Sequence, residues 1–376
     1  MRIAIVGPSY PFRGGISTYT TLLARKLKSR HEVLFVSFSR QYPKTLFPGK
    51  NQEDLSNVSL KEPGTERTLD SMNPLTWLRV ARRIASWNPD MVVFPWWVSF
   101  WAPQFYTIIR RLRKLAPNAK IMFVCHNVVS HESNFIHEHV TRFVLGRADM
   151  CEIHSQEDQK KFDKLLPSHR SFRGFLPYDD AKPQLVDQKL AKKKLGLGDT
   201  KPTILFFGII RPYKGLGWLL KAMPRVIKET GATLLVVGES WGGGAEYAKI
   251  SQELQLSEHV RFVNSFVPDA EMPTYFSASD LVVLPYETAT GSAVLATCMK
   301  YGRPVVATRV GSFPEIIKDG ISGHLVPPRN SDALASAIIK SLQTAELSRL
   351  RAEFVADRKR YTWDRLIDEM EGQIVY

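Results

Sequence analysis

Residues 280–307 read DLVVLPYETATGSAVLATCMKYGRPVVA. A short apolar run, Asp280–Leu284, ends in the small-residue turn Pro285–Ser292. A helical stretch follows from Ala293, and then a second apolar run, Pro304–Ala307. Apolar strands that do not alternate with polar residues, joined through a helix, predict a parallel sheet covered on both faces. The pattern extends outward in both directions. Strands are expected at Thr203–Phe207, Ala232–Val237, Val260–Val263 and Gly323–Val326, and Trp218, Leu219, Ala222, Met223, Val226 and Ile227 give a helix one apolar face. Residues 181–201, AKPQLVDQKLAKKKLGLGDTK, are charged and polar and read as a linker. Before them the alternation occurs once already. Strands are expected at Arg2–Val6, Glu32–Ser37, Met91–Phe94, Lys120–Val124 and Asp149–Ile153, with helices after Ile16 and over Pro74–Ser86. Gln41–Thr68 reads as a polar excursion or flap.

The reading is therefore an α/β chain of two doubly wound, Rossmann-like domains, 1–180 and 202–357, with an amphipathic segment 358–376 that returns to the first. Ligands of such sheets bind beyond the carboxyl ends of the strands, here in an expected interdomain cleft. The length of 376 residues fits two domains, and 44% hydrophobic with 23% charged residues excludes disordered, collagenous and coiled-coil chains. The net charge is +14, and residues 1–180 hold 26 Lys/Arg against 16 Asp/Glu. Such an excess calls for an anionic partner. Nucleic acid is set aside because there is no zinc finger, RNP motif or basic arm. Cys125, Cys151 and Cys298 are too scattered for a disulfide framework or zinc, and read as buried thiols of a reducing compartment. Arg2–Val6 is too short for a signal-peptide core. The uncharged stretch Met91–Ile109 contains Pro95 and Pro103, so it reads as strand, aromatic loop and helix rather than a membrane span.

Four strand ends carry candidate chemistry. Gly14-Gly15, between the first strand and its helix, offers bare amides for phosphate, although neither GxGxxG nor a Walker loop is present. His126 closes the strand ending in Val124-Cys125, with His131 and Glu132 soon after; an imidazole there can meet a sugar hydroxyl or phosphate. In FFGIIRPYKG (206–215), Arg211 and Lys214 follow Gly208, and a planar fork with a point charge can clamp a diphosphate. Thr290, Gly291 and Ser292 precede a helix whose first amides suit phosphate, and the plain alternative there is an N-cap. No Asp-x-Asp pair ends a strand and no metal set recurs at ligand spacing.

Over essentially its whole length the chain resembles a GT-B glycosyltransferase of family 4, the retaining group-1 type. The carriers are Gly14-Gly15, His126, FFGIIRPYKG, the block PYETATGSAVLATCMKYGRPVVATRVGSFPEIIKDGISGHLVPP, and Tyr361-Thr362-Trp363-Asp364. The resemblance implies a nucleotide-diphosphate sugar as donor, held mainly by the C-terminal domain, and a glycan or lipid-linked acceptor on the N-terminal one. It implies transfer with retained configuration and without metal or cofactor. By the same analogy Arg211 and Lys214 hold the diphosphate near Gly208, helped by Thr290, Gly291, Ser292, Ala293 and Val294. Gly14 and Gly15 meet the phosphate, His126 the transferring sugar, and Ser265, Phe266 and Val267 the base. Trp96, Trp97, Trp101 and His131 are acceptor-side candidates. The chain departs from the family at Ile209, where Arg is usual, and at Ala289 and Thr297, where a pair of glutamates is usual. Glu287 is the candidate substitute, and the Ala-Thr-Gly-Ser loop resembles a subgroup. The alternatives are a nucleotide-sugar epimerase of the same fold and a catalytically lapsed sugar-nucleotide-binding protein. Basic clusters at Arg79, Arg82 and Arg83 and at Arg110, Arg111, Arg113 and Lys114, with Trp77, Trp87, Trp96, Trp97, Phe100 and Trp101 between, lead to the expectation of a cytoplasmic enzyme in peripheral contact with the anionic inner face of the membrane.

Overall fold

The computed structural model describes residues 1–43, 51–129, 135–198, 200–241 and 244–373. The chain divides into two compact units, Met1–Phe175 with Trp363–Tyr376, and Leu176–Thr362.

Strands of the first unit are β1 (Arg2–Val6), β2 (Glu32–Arg40), β3 (Glu66–Asp70), β4 (Met91–Trp96), β5 (Lys120–Cys125), β6 (Met150–Ile153) and β7 (Ser171–Arg173). They form one parallel sheet in the order β3-β2-β1-β4-β5-β6-β7. Its helices are α1 (Gly15–Lys28), α2 (Pro74–Ser86), α3 (Ala102–Leu115), α4 (Phe135–Leu145) and α5 (Gln156–Leu165). Ile3, Ala4, Ile5 and Val6 are wholly buried, as a central parallel strand covered on both faces requires. Proline is rare in a central strand because it cannot donate to the ladder. Pro95 is accommodated because β1 pairs with β4 only as far as Ile5↔Val93, so Pro95 faces the point where β1 leaves the sheet and β5 alone continues beside it.

The second unit carries β8 (Thr203–Phe207), β9 (Thr233–Val237), β10 (Val260–Val263), β11 (Leu281–Leu284), β12 (Val305–Thr308) and β13 (Gly323–Val326), all parallel, in the order β10-β9-β8-β11-β12-β13. Its helices are α6 (Gln188–Lys194), α7 (Leu216–Thr230), α8 (Gly244–Glu253), α9 (Met272–Ala278), α10 (Ala293–Tyr301), α11 (Phe313–Ile316), α12 (Ser331–Ser341) and α13 (Thr344–Asp357). The apolar face read from Trp218–Ile227 lies on α7, whose Leu219, Ala222, Met223 and Val226 are buried.

Three segments differ from the sequence reading. The Gln41–Thr68 excursion ends in β3, which pairs with β2 at the sheet edge through two register shifts. Residues 181–201 are no free connector. Within them α6 packs on α9, and the buried Lys192 ammonium pairs with Asp280 at 3.1 Å. The C-terminal segment divides at Trp363 rather than 358. Arg358–Tyr361 form a short turn in the second unit, where the Tyr361 hydroxyl donates to Glu315 O. The last helix, α14 (Trp363–Gly372), belongs to the first unit. It buries Trp363 and pairs Asp368 and Glu371 with Arg30 and His31. Among the described residues no helix is long and apolar enough to cross a membrane, and the three cysteines are buried and free.

Candidate active site

In the second sheet the strand order reverses between β8 and β11, and loops at such a point flank a crevice. Backbone bonds join the carboxyl ends of its strands in series. Gly208 N donates to Val237 O, Gly238 N to Val263 O, and Ser240 N to the Asn264 side chain. The segments 208–215, 264–267 and 285–294 therefore share one edge of the sheet.

After β8 the chain passes Gly208 and runs extended through Arg211. It then makes one tight turn over Pro212–Lys214 and enters α7 at Gly215. Gly215 has φ 68°, and a Cβ there would stand 1.9 Å from the Pro285 carbonyl oxygen. Next to this contact the Glu287 N–H donates to Tyr213 O at 2.7 Å. The loop after β8 is thus fastened to the loop after β11, and only glycine permits so close an approach.

Lys214 is 8% exposed. Its Nζ lies 5.6 Å from the centre of the Tyr286 ring, and the Arg211 guanidinium lies 5.7 Å from that of Tyr213. Neither cation has a carboxylate partner among the described residues. Burial, and then the charge of Arg211, bring the Lys214 ammonium down to about 8. A buried cation without a counter-ion is costly, and an anionic ligand removes that cost. Lys214 and the half-buried Arg211, three residues apart, form a candidate anion site.

The loop after β11 supplies further polar groups on the same edge of the sheet. Ser292 caps α10, its Oγ accepting from Leu295 N at 3.2 Å, and Ala296 N donates to Ser292 O. The Ala293 and Val294 amides belong to the first turn, which has no intrahelical acceptor. Thr290 and Ser292 are buried, while Gly291 and Val294 are half-buried. Ser312 N donates to Thr290 O and holds the loop from behind. Glu287 does not present a free carboxylate. Its Oε1 accepts from Trp218 Nε1 at 3.0 Å and its Oε2 from Arg329 Nε at 2.8 Å. In this structure it anchors the loop. Of the segment after β10, Ser265 is exposed, Phe266 half-buried and Val267 buried.

In the first unit Gly14 has φ 113° and α1 starts without a side-chain cap or an acidic residue in its first turn, which leaves the first-turn amides open. His126 follows β5 and is 8% exposed. Its ring meets Tyr19 edge-on at 4.6 Å and His154 at 5.2 Å. Burial, and then His154, hold its pKa well below the usual imidazole range, so the ring is neutral. Among the described residues its buried Nε2 has no hydrogen-bond partner, and neither has the Tyr19 hydroxyl. His154 Nε2 lies 2.9 Å from Glu152 Oε1, and both side chains are buried. Trp363 of α14 stands 5.1 Å from the Tyr19 ring and covers this group.

Two of the acceptor-side tryptophans are core residues. Trp96 is 1% and Trp101 0% exposed. β4 runs on through Pro95 to Trp96, which turns its ring to Phe123, and Trp101 packs on Phe38 where α3 begins. Trp97 is half-buried, with its Nε1 donating to Tyr42 Oη at 3.3 Å. His131, with Glu132, lies outside the described residues. Tyr19, Glu152 and His154 escaped the sequence reading. The signal for Glu152 was available, since a carboxylate inside the apolar run Met150–Ile153 needs a buried partner.

Residues 13–169 match the family described as Glycosyltransferase Family 4, and residues 201–344 that described as Glycosyl transferases group 1. A D-inositol 3-phosphate glycosyltransferase of Segniliparus rotundus is 32% identical over 189 residues, 48% of this chain, and the chain spans only 41% of that relative's length. A GDP-mannose-dependent alpha-(1-6)-phosphatidylinositol monomannoside mannosyltransferase of Mycolicibacterium smegmatis is 25% identical over 87% of this chain and 85% of its own. Among solved structures, HepE of Anabaena in complex with UDP superposes with a TM-score of 0.78 at 19% identity, covering 100% of both chains. That likeness shows the GT-B fold of two Rossmann-like domains.

Proposed function

The chain belongs to the group 1, family 4 glycosyltransferases, and from this premise we propose that it transfers a sugar, with retention of configuration, from a nucleotide-diphosphate donor to a glycan or lipid-linked acceptor of cell-surface polysaccharide or glycoconjugate synthesis. The observation that carries the reading is the pair of uncompensated cations, Arg211 and buried Lys214, beside the α10 N-terminus. In this reading the bond from the sugar's anomeric carbon to the diphosphate breaks and a bond to the acceptor oxygen forms on the same face. The acceptor's proton passes to the leaving diphosphate. Arg211, Lys214 and the Ala293 and Val294 amides stabilise the charge that builds on that diphosphate, in a pocket where fixed donors need no reorganisation. His126, neutral and with an open Nε2, is assigned a sugar hydroxyl. Ser265, Phe266 and Val267 are assigned the base. Trp97 is retained on the acceptor side.

The reading is tested by incubating the protein with a panel of nucleotide sugars, with and without candidate acceptors, and following nucleotide release and product configuration. Acceptor-dependent release with a retained anomer is expected. Interconversion of the nucleotide sugar without acceptor would instead identify an epimerase. That chemistry needs a free carboxylate acid/base, whereas both oxygens of Glu287 are engaged.

Two further results are expected. Transfer should persist in EDTA, because Arg211 and Lys214 occupy the role of a divalent ion. Activity lost in EDTA and restored by Mg²⁺ or Mn²⁺ would contradict that assignment. Diphosphate affinity should also depend on pH. Lys214 is a cation below about 8 and neutral above it. Calorimetric Kd for the nucleoside diphosphate should therefore rise above that pH, approaching about tenfold per unit once the free amine dominates. A Kd that stays flat to pH 9.5 would remove Lys214 from the site.

A further inference from the structure

We propose that the groove between α3 and α4, with the exposed apolar end of α4 and the cations along the two helices, is a docking surface for an anionic phospholipid bilayer. The groove measures about 690 Å³, and Pro103, Tyr106, Val140, Phe143, Arg147 and Leu166 are among its lining residues. α4 buries Val144 and Leu145 but leaves other large apolar side chains in water. Phe135 is 74% exposed, Ile136 67% and Phe143 48%, while Thr141 is buried. Phe135, His139, Arg142 and Phe143 recur at helical spacing and share one stripe. On α3, Pro103, Tyr106, Arg110 and Lys114 form a second stripe that runs from the groove's mouth into basic residues.

The charges decide the occupant. Arg110, Lys114 and Arg142 have no carboxylate partner among the described residues. Arg147 lays its guanidinium over Phe143 at 4.7 Å and Tyr106 at 5.9 Å and pairs with no acid among the described residues. Arg113 is neutralised by Asp149, and Glu138 is the one carboxylate on α4. Exposed Phe135, Ile136 and Phe143 along one helix, with Arg142 and Arg147 beside Phe143 and Arg110 and Lys114 further along α3, match an interfacial surface, whose apolar side chains enter the acyl boundary while its cations meet anionic headgroups. This relocates the membrane contact expected from the tryptophans. Trp96 and Trp101 are buried, and Trp77, Trp87 and Trp97 pack against the core of the first unit.

The surface does not depend on the transferase reading, since its readout is binding and not turnover. The test is co-sedimentation of the full chain with phosphatidylglycerol/phosphatidylcholine vesicles, against phosphatidylcholine alone, over a salt series. Binding should require the anionic lipid and weaken as salt rises. It should fall at least tenfold in a Phe135→Ser/Ile136→Ser variant and in an Arg110→Gln/Arg142→Gln variant. These side chains are exposed, so both variants should keep the wild-type circular dichroism. Wild-type protein that stays in the supernatant at low salt would overturn the proposal, as would variants that sediment like wild type. A concentration-dependent dimer lost in the same variants, without vesicle binding, would overturn it in favour of a second copy of the chain.

Discussion

Lys214→Ala is expected to lower sugar transfer at least about a hundredfold, the loss that follows removal of one fixed contact to transition-state charge. The side chain is buried, has no carboxylate partner among the described residues and stands where Arg211 is the neighbouring charge. Removing it deletes an uncompensated buried cation, so the folded state should be no less stable than wild type. That combination, activity lost and melting temperature kept or raised, separates a ligand-binding role from a structural one. Lys214→Arg should not rescue it. The compact Lys214 ammonium packs beside Gly208 and the Tyr286 ring, and a wider planar fork would place its donors elsewhere. Arg211→Ala should lose activity comparably. Near-normal turnover in both alanine variants, measured by nucleotide release under saturating donor, would sink the diphosphate clamp.

Gly215→Ala is the second change of large effect. The added Cβ would meet the Pro285 carbonyl oxygen at 1.9 Å, and φ 68° is unfavourable for any L side chain. Backbone cannot yield as a side-chain end can, so the loop after β8 has to move away from the loop after β11. Arg211 and Lys214 move with it. A displacement of about 1 Å at a catalytic group costs about a hundredfold in rate, and that loss is expected here. Gly231 provides the control. It has a nearly identical φ of 67° at the end of α7, but open space around it. Gly231→Ala should cost about 1 kcal/mol of stability and leave transfer unchanged. Equal activity in the two variants would mean that the contact at Pro285 does not set the site.

What could be read from the sequence follows from burial. The central strands β1 and β8 are continuous apolar runs and were expected at the ends found, as were the short edge strands β10 and β13 of the second sheet. The edge strands β3 (ERTLD) and β7 (SFR) of the first sheet were missed because, half-solvated, they carry charge and no apolar run. Trp96 misled for a physical reason. A proline normally ends a central strand, but β1 departs opposite Pro95, so β4 continues and carries Trp96 into the core. The candidate cations were legible as a motif, since Arg211 and Lys214 follow a glycine at a strand end. That Lys214 is buried was not, because a lysine's default is exposure. Nor could the commitment of Glu287 be read, since Trp218 and Arg329 approach it from 69 and 42 residues away.

Equilibrium binding of a panel of nucleotide-diphosphate sugars, in EDTA, to the wild-type chain and to Lys214→Ala tests the central claim most directly. The account predicts saturable binding of at least one donor to wild type at neutral pH, weakened at least about tenfold in the variant, the scale of one lost charge-assisted contact. No donor bound by the wild type, or equal affinity in the two proteins, would contradict it.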